Sequence, residues 1–279
     1  MAKLFYGHVR VQDVKIHYYR TGEEKPAVVL LHGFGDSALS WSRLALRLEP
    51  DYDVIMIDAR GHGLSDGPEL GYRPQDQASD VAAIIQELDL VRPALIGHDM
   101  GAMTASVVAA GYPDLINSVV LENPCWSVLP DCEFNSPLQV EQVRAELDDL
   151  RKLNLQQLQD LCKEKNQLWN AADIFQWAKA HQQIKVNAAR FYAEEPPAWR
   201  EIIARIQIPA LLIGGNPELG SLLSGEALEL ANQHWKKNKQ NRVIWFEDAA
   251  QCVHRDQFDS YWDEIAFFLA RQNWSRKKR

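Results

Sequence analysis

The chain has 279 residues, 46% of them hydrophobic, which is enough for one large buried core. Its formal net charge of −8 disfavours nucleic acid as a partner. No apolar run reaches the roughly 18 residues of a membrane span, and Met1–Gly7 carries no apolar signal-peptide core, so a cytoplasmic protein is expected. The four cysteines, Cys125, Cys132, Cys162 and Cys252, lack paired or zinc-ligand spacing and read as reduced thiols. The basic end Arg276-Lys277-Lys278-Arg279 reads as a solvated terminus.

In chain order, Phe5–Val11 and Val14–Arg20 form a hairpin of two strands, and Val28–Leu31 is a buried parallel strand. A helical pattern over Ser40–Leu48 leads to a second buried strand, Val54–Ile57. Gln75–Leu88 places Ala78, Val81, Ala82, Ile85 and Leu88 on one helical face. The short strand at Leu95-Ile96 precedes Gly97-His98-Asp99-Met100-Gly101, then a helix over Ala102–Tyr112 and a strand at Val119–Leu121. Strand signals then stop. Leu138–Leu150, Leu155–Lys165, Ala171–His181 and Ile184–Ala193 are amphipathic helices, and Pro196-Pro197 breaks the last of them. Alternation resumes with strands at Pro209–Ile213 and Arg242–Phe246 and a closing helix over Phe258–Arg271. Alternating strands and helices give a parallel sheet covered on both faces. The helical block is too long for a loop and is expected over the carboxyl ends of the strands.

A strand, a sharp turn with glycines two before and two after its central residue, and a helix make a nucleophile elbow. Asp99 stands at its centre, so an attacking atom would be a carboxylate oxygen that needs no activating base. The alternative role for a carboxylate at a helix N-terminus is general acid or base. There burial pushes its pKa up and the backbone amides pull it down.

Three motifs in order, His32-Gly33-Phe34-Gly35, Asp58-Ala59-Arg60-Gly61-His62-Gly63-Leu64-Ser65 and the Asp99 elbow, resemble the α/β-hydrolase family. The resemblance implies a mostly parallel eight-stranded sheet with helices on both faces. It divides the chain into a core of residues 1–123 and 206–279 and a helical cap, 124–205, inserted after the sixth strand. It also implies an oxyanion hole made by the backbone N–H groups of Phe34 and Met100, each worth about 3 kcal/mol. His32 and His98 are expected to be structural. Aspartate at the elbow is similar to the haloalkane and fluoroacetate dehalogenases and the epoxide hydrolases, which pass through an ester cleaved by histidine-activated water.

Three features depart from that pattern. Gln251 falls at the histidine position, and a neutral amide takes no proton from water near neutral pH. His254, three residues on, is the nearest imidazole in sequence. The acid position is open between Glu122 and Glu218, with Asn123 and Asn216 at the places where an acid is expected. Trp126, Trp177 and Tyr192 are expected to line a pocket between cap and sheet for a small apolar or aromatic molecule. The chain shows neither a phosphate-binding glycine pattern nor metal-ligand spacing, so no cofactor and no metal are expected, and a monomer or homodimer is expected to suffice. Three functions stay open: an enzyme with an atypical Asp99 centre doing hydrolysis or non-hydrolytic acid/base chemistry, a non-catalytic ligand-binding or sensor protein, and an Asp-nucleophile dehalogenase or epoxide hydrolase stalled by loss of its histidine.

Overall fold

A computed structural model describes residues 4–22, 24–126, 136–195 and 198–274. Cys132, Pro196-Pro197 and the basic end Arg276–Arg279 lie outside the described residues. Strands β1 (Phe5–Val11), β2 (Val14–Arg20), β3 (Ala27–Leu31) and β4 (Asp53–Ile57) are followed by β5 (Ala94–His98), β6 (Ser118–Glu122), β7 (Ala210–Gly215) and β8 (Arg242–Phe246). They form one sheet in the order β1-β2-β4-β3-β5-β6-β7-β8. The β1–β2 and β2–β4 pairings are antiparallel and all others are parallel. This is the α/β-hydrolase fold.

Helices α1 (Ser42–Leu48), α2 (Pro74–Glu87) and α3 (Met100–Gly111) come from the first half. Between β6 and β7 lie α4 (Pro137–Lys152), α5 (Leu155–Lys165), α6 (Ala171–Gln183) and α7 (Trp199–Arg205), with no strand among the described residues. Then come α8 (Gly225–Trp235), α9 (Val253–Asp256) and α10 (Phe258–Ala270). The sequence pattern of residues 184–193 folds as a 3-10 turn, Val186–Ala193. Helices α7, α8 and α9, each eleven residues or shorter, were not legible from periodicity.

The core follows from the two-residue side-chain period of the strands. Val29, Leu31, Ile55, Leu95, Val119, Leu121 and Leu212 point to one face, under α2, α3 and α8. Val28, Leu30, Met56, Ile96, Val120, Leu211 and Ile213 point to the other, under α1 and α10. The five parallel central strands are buried on both faces, hence their unbroken Val/Ile/Leu runs.

The helical block meets the core at the carboxyl ends of β3 and β4. Lys185 N–H donates to the Gly61 carbonyl at 2.8 Å. The Tyr192 ring packs edge-on to Phe34 with centroids 5.1 Å apart, and a Cβ on Gly35 would touch His181 at 3.5 Å. Two ion pairs stiffen the loops beneath. Arg60 forks onto both oxygens of Asp80 at 2.8 and 2.7 Å, and Arg255 donates to Asp36 at 2.8 Å, all four residues being buried. The Arg255–Asp36 pair fastens α9 to the loop that follows β3.

Candidate active site

Asp99 leaves β5 at φ 52°, ψ −116°, a strained conformation for a residue with a side chain. The turn is so tight that a Cβ on Gly101 would sit 2.2 Å from the Leu31 carbonyl oxygen, and one on Gly97 would sit 2.4 Å from the Gly101 carbonyl oxygen. The elbow glycines are therefore required by close backbone passage. Asp99 N–H donates to the Glu122 carbonyl at 2.9 Å and the Asp99 carbonyl accepts from Met103 N–H at 3.0 Å. The side chain is thus fixed on the rim of the sheet.

The two carboxylate oxygens differ. Oδ2 accepts from the Phe34 backbone N–H at 2.9 Å. Oδ1 meets the Cys125 thiol and lies 3.4 Å from the Gln251 amide nitrogen Nε2. Met100 opens α3, so its N–H belongs to the first-turn amides that have no acceptor within the helix. Among the described residues, no imidazole hydrogen-bonds to Asp99.

Gln251 is held from both ends. Its Oε1 accepts from Leu222 N–H at 2.8 Å and its Nε2 donates to the Asn123 carbonyl at 3.0 Å. Its own carbonyl accepts from Asn123 Nδ2 at 2.8 Å and meets His98 Nε2 at 3.0 Å. Asn123 sits at φ 42°, a region asparagine tolerates better than most residues. Its Oδ1 accepts from Gly215 N–H at 2.9 Å and the Ser221 hydroxyl at 2.8 Å, and its Nδ2 also donates to the Ala250 carbonyl at 3.1 Å. An amide is needed there because one end meets donors and the other meets carbonyls.

The two acids and His254 lie elsewhere. Glu122 alternates with Leu121 along β6 and so points to the α1/α10 face, where its carboxylate accepts from His254 N–H at 3.0 Å and bonds His254 Nδ1 at 2.9 Å. The His254 ring is wedged against Trp41, 4.4 Å between centroids, and near Tyr261 and His98. Burial raises the Glu122 pKa to about 7 and lowers that of His254 to about 3. The expectation that either serves Asp99 directly is corrected: the pair is occupied with itself. Glu218 is exposed on a 3-10 turn, Pro217–Leu219, and its backbone N–H is capped by the Asn216 Oδ1 at 3.0 Å. Asn216 spends its Nδ2 on the Glu247 carbonyl at 3.0 Å.

His98, Glu122 and His254 offer ligand atoms within 4.8 Å of one another, all buried, a grouping that sequence spacing did not reveal. His254 Nδ1 bonds Glu122 and His98 Nε2 meets the Gln251 carbonyl, while His98 Nδ1 and His254 Nε2 have no hydrogen-bond partner among the described residues. His32 is structural: its Nε2 accepts from Ala59 N–H at 3.0 Å and its Nδ1 meets the Gly33 carbonyl at 2.7 Å.

Of the expected pocket walls, Tyr192 contacts Phe34 with centroids 5.1 Å apart; Phe191, which the sequence did not single out, lies 6.1 Å from the same ring. Trp126 is buried and stacks on Trp199 at 6.3 Å, and Trp177 packs on His181 at 3.8 Å. Trp126 thus packs the loop after β6 onto α7, and Trp177 packs along its own helix, α6. Cys125 and Asn123 were missed as site residues. Both follow β6 by three residues or fewer, and loops at the carboxyl ends of parallel strands are where such sites assemble.

The family model for the alpha/beta hydrolase fold matches residues 26–155. A 2-(acetamidomethylene)succinate hydrolase from Mesorhizobium japonicum is 41% identical over 34% of this chain and 34% of its own length. Epoxide hydrolase 4 from Mus musculus is 34% identical over 48% of this chain and 39% of its own length. The matched region thus spans about a third of the length of these curated relatives. A crystal structure of an E-2-(acetamidomethylene)succinate hydrolase superposes with a TM-score of 0.79, covering 96% of this chain and 100% of that one at 22% identity. The chain thus resembles members of the α/β-hydrolase superfamily in sequence over residues 26–155 and shares their fold over nearly its whole length.

Proposed function

We propose that the protein is an enzyme of this superfamily whose reacting atom is Asp99 Oδ1, with residues 124–205 as its cap over a core of 1–123 and 206–279. The observation that carries the reading is the unequal treatment of the carboxylate: Oδ2 rests on the Phe34 N–H while Oδ1 faces the Gln251 amide and Cys125. If Oδ1 bonds an electrophilic carbon, Oδ2 becomes the carbonyl oxygen of the ester and already lies against an oxyanion donor. If Oδ1 takes a proton instead, the same anchoring holds the carboxylate in place as a base.

Gln251 then acts as a neutral donor that orients a substrate oxygen or a water. It supplies no base, so turnover of an ester would be slow, and acid/base chemistry without an ester is the favoured route. The substrate is a small apolar or aromatic molecule bounded by Phe34, Phe191 and Tyr192. One relative is an epoxide hydrolase, which makes epoxides a suitable first electrophile to offer.

The test is intact-mass spectrometry after exposure to epoxide, haloalkane and ester panels, with product analysis alongside. Turnover lost in Asp99→Asn but kept in Gln251→Ala supports the acid/base route. A persistent adduct on Asp99 supports covalent attack that stalls. Ligand-dependent thermal protection without product or adduct supports the second reading, a binding protein, which the lack of an imidazole on Asp99 among the described residues favours.

A further inference from the structure

A cavity lies within the helical block. It is a cleft of about 250 Å³ between α4 and the Val186–Ala193 turn, lined by Pro137, Val140, Glu141, Arg144, Arg190 and Ala193. The lining is a consequence of helical geometry. Residues 137, 140, 141 and 144 fall on one stripe of α4, and residues 190 and 193 eclipse each other in a 3-10 turn.

Two cations line this space. The Nε atoms of Arg144 and Arg190 are both buried, and neither has a hydrogen-bond partner among the described residues. Arg190 has no ion pair among the described residues. Arg144 has one long contact, Nη1 to Glu141 at 3.4 Å, across an exposed carboxylate. A buried guanidinium N–H without an acceptor costs on the order of 1–3 kcal/mol, so two of them facing one cavity in a chain of net charge −8 call for an anion.

We propose that this cleft binds a small organic monocarboxylate with a hydrocarbon tail. Its carboxylate lies between Arg144 and Arg190 and its tail lies against Pro137, Val140 and Ala193. Two arginines and Glu141 leave one net positive charge, which matches a carboxylate better than a phosphate dianion. The planar guanidinium suits a two-oxygen acceptor. The neighbouring residues of the turn, Phe191 and Tyr192, face Phe34. The cleft therefore stands on the opposite side of that turn from Asp99, and the proposal is independent of Asp99 chemistry.

The test is calorimetric titration of the full chain with sodium hexanoate, with hexanamide and inorganic phosphate as comparators. Hexanoate is expected to bind one site. Arg190→Gln and Arg144→Gln should each weaken it about tenfold or more, equivalent to about 1.4 kcal/mol. Hexanamide should bind at least as weakly as hexanoate binds those variants, and Asp99→Asn should leave hexanoate affinity within about twofold. Equal affinity in the glutamine variants, equal binding of hexanamide, tighter binding of phosphate, or a change in Asp99→Asn would each overturn the proposal. Methyl NMR of the unmodified protein gives a readout that does not depend on a variant folding. Val140 and Ala193 methyls must shift with hexanoate while Val119, in the sheet, does not, and the reverse pattern sinks it.

Discussion

Gln251 and Asn123 clasp each other: the side-chain amide of Gln251 donates to the Asn123 carbonyl at 3.0 Å, and the side-chain amide of Asn123 donates to the Gln251 carbonyl at 2.8 Å. Gln251 is therefore fixed by its backbone surroundings, and its Nε2 is presented to Asp99 with its Oε1 committed to Leu222 N–H. A residue read from sequence as a lost histidine is a built part of the site.

Asn123→Asp should break this clasp. The aspartate keeps the bonds from Gly215 and Ser221 but sets a carboxylate oxygen against the carbonyls of Ala250 and Gln251, which now face Asn123 Nδ2. The expected loss is about 2–3 kcal/mol of stability, from repulsion plus the donor lost to the Ala250 carbonyl, the Gln251 carbonyl keeping His98 Nε2. Chemical denaturation reads it, and an unchanged midpoint would show that the turn rearranges freely.

Gln251→His should not produce efficient ester hydrolysis. Glu122 is bound to His254 on the far face and Glu218 is exposed, so an imidazole at 251 has neither acid to orient it. The catalytic contribution of a positioned base, roughly 10²–10⁴-fold, should stay out of reach. Steady-state hydrolysis of an activated ester measures this, and a rise of about a hundredfold or more would show that an acid reaches the imidazole.

The Glu122–His254 pair should also flatten the pH dependence of stability. Glu122 has its folded pKa raised from 4.5 to about 7. The folded state thus holds its proton longer, and this contribution falls as pH climbs from 4.5 to 7. His254 has its folded pKa lowered from 6.5 to about 3, so its contribution is full above 6.5 and falls as pH drops towards 3. Between 4.5 and 6.5 the two slopes oppose. Glu122→Gln removes the first and leaves the second, so the stability of that variant relative to the parent should rise with pH across this window. Parallel curves would mean that burial does not shift Glu122.

Gly101→Ala should prevent the elbow from closing. Its Cβ would lie 2.2 Å from the Leu31 carbonyl oxygen, a backbone atom that cannot swing aside. The cost should be about 3 kcal/mol or more, at the upper end of overpacking. Thermal unfolding checks it, with Gly111→Ala, whose Cβ would meet nothing within 4 Å, as the control.

Much of this molecule was readable before any coordinates. Strands β1, β2 and β8 and helix α5 match the sequence pattern at both ends, because alternation, apolar runs and capping residues are local properties. The elbow was equally legible, since glycines at fixed offsets report a turn too tight for a Cβ. The order of chemistry-bearing residues also placed Asp99 and Gln251 in one site.

The partners of those residues were decided by tertiary structure alone. Whether Glu122 serves Asp99 or His254 depends on which face of the sheet its position in β6 points to. Cys125 touches Asp99, and Asn123 touches Gln251 128 residues away, only because β5, β6, β7 and β8 lie side by side. Sequence sets what each side chain can donate or accept. Sheet register and loop packing choose the atom it meets, because hydrogen bonds act over about 3 Å and chain distance carries no information at that scale.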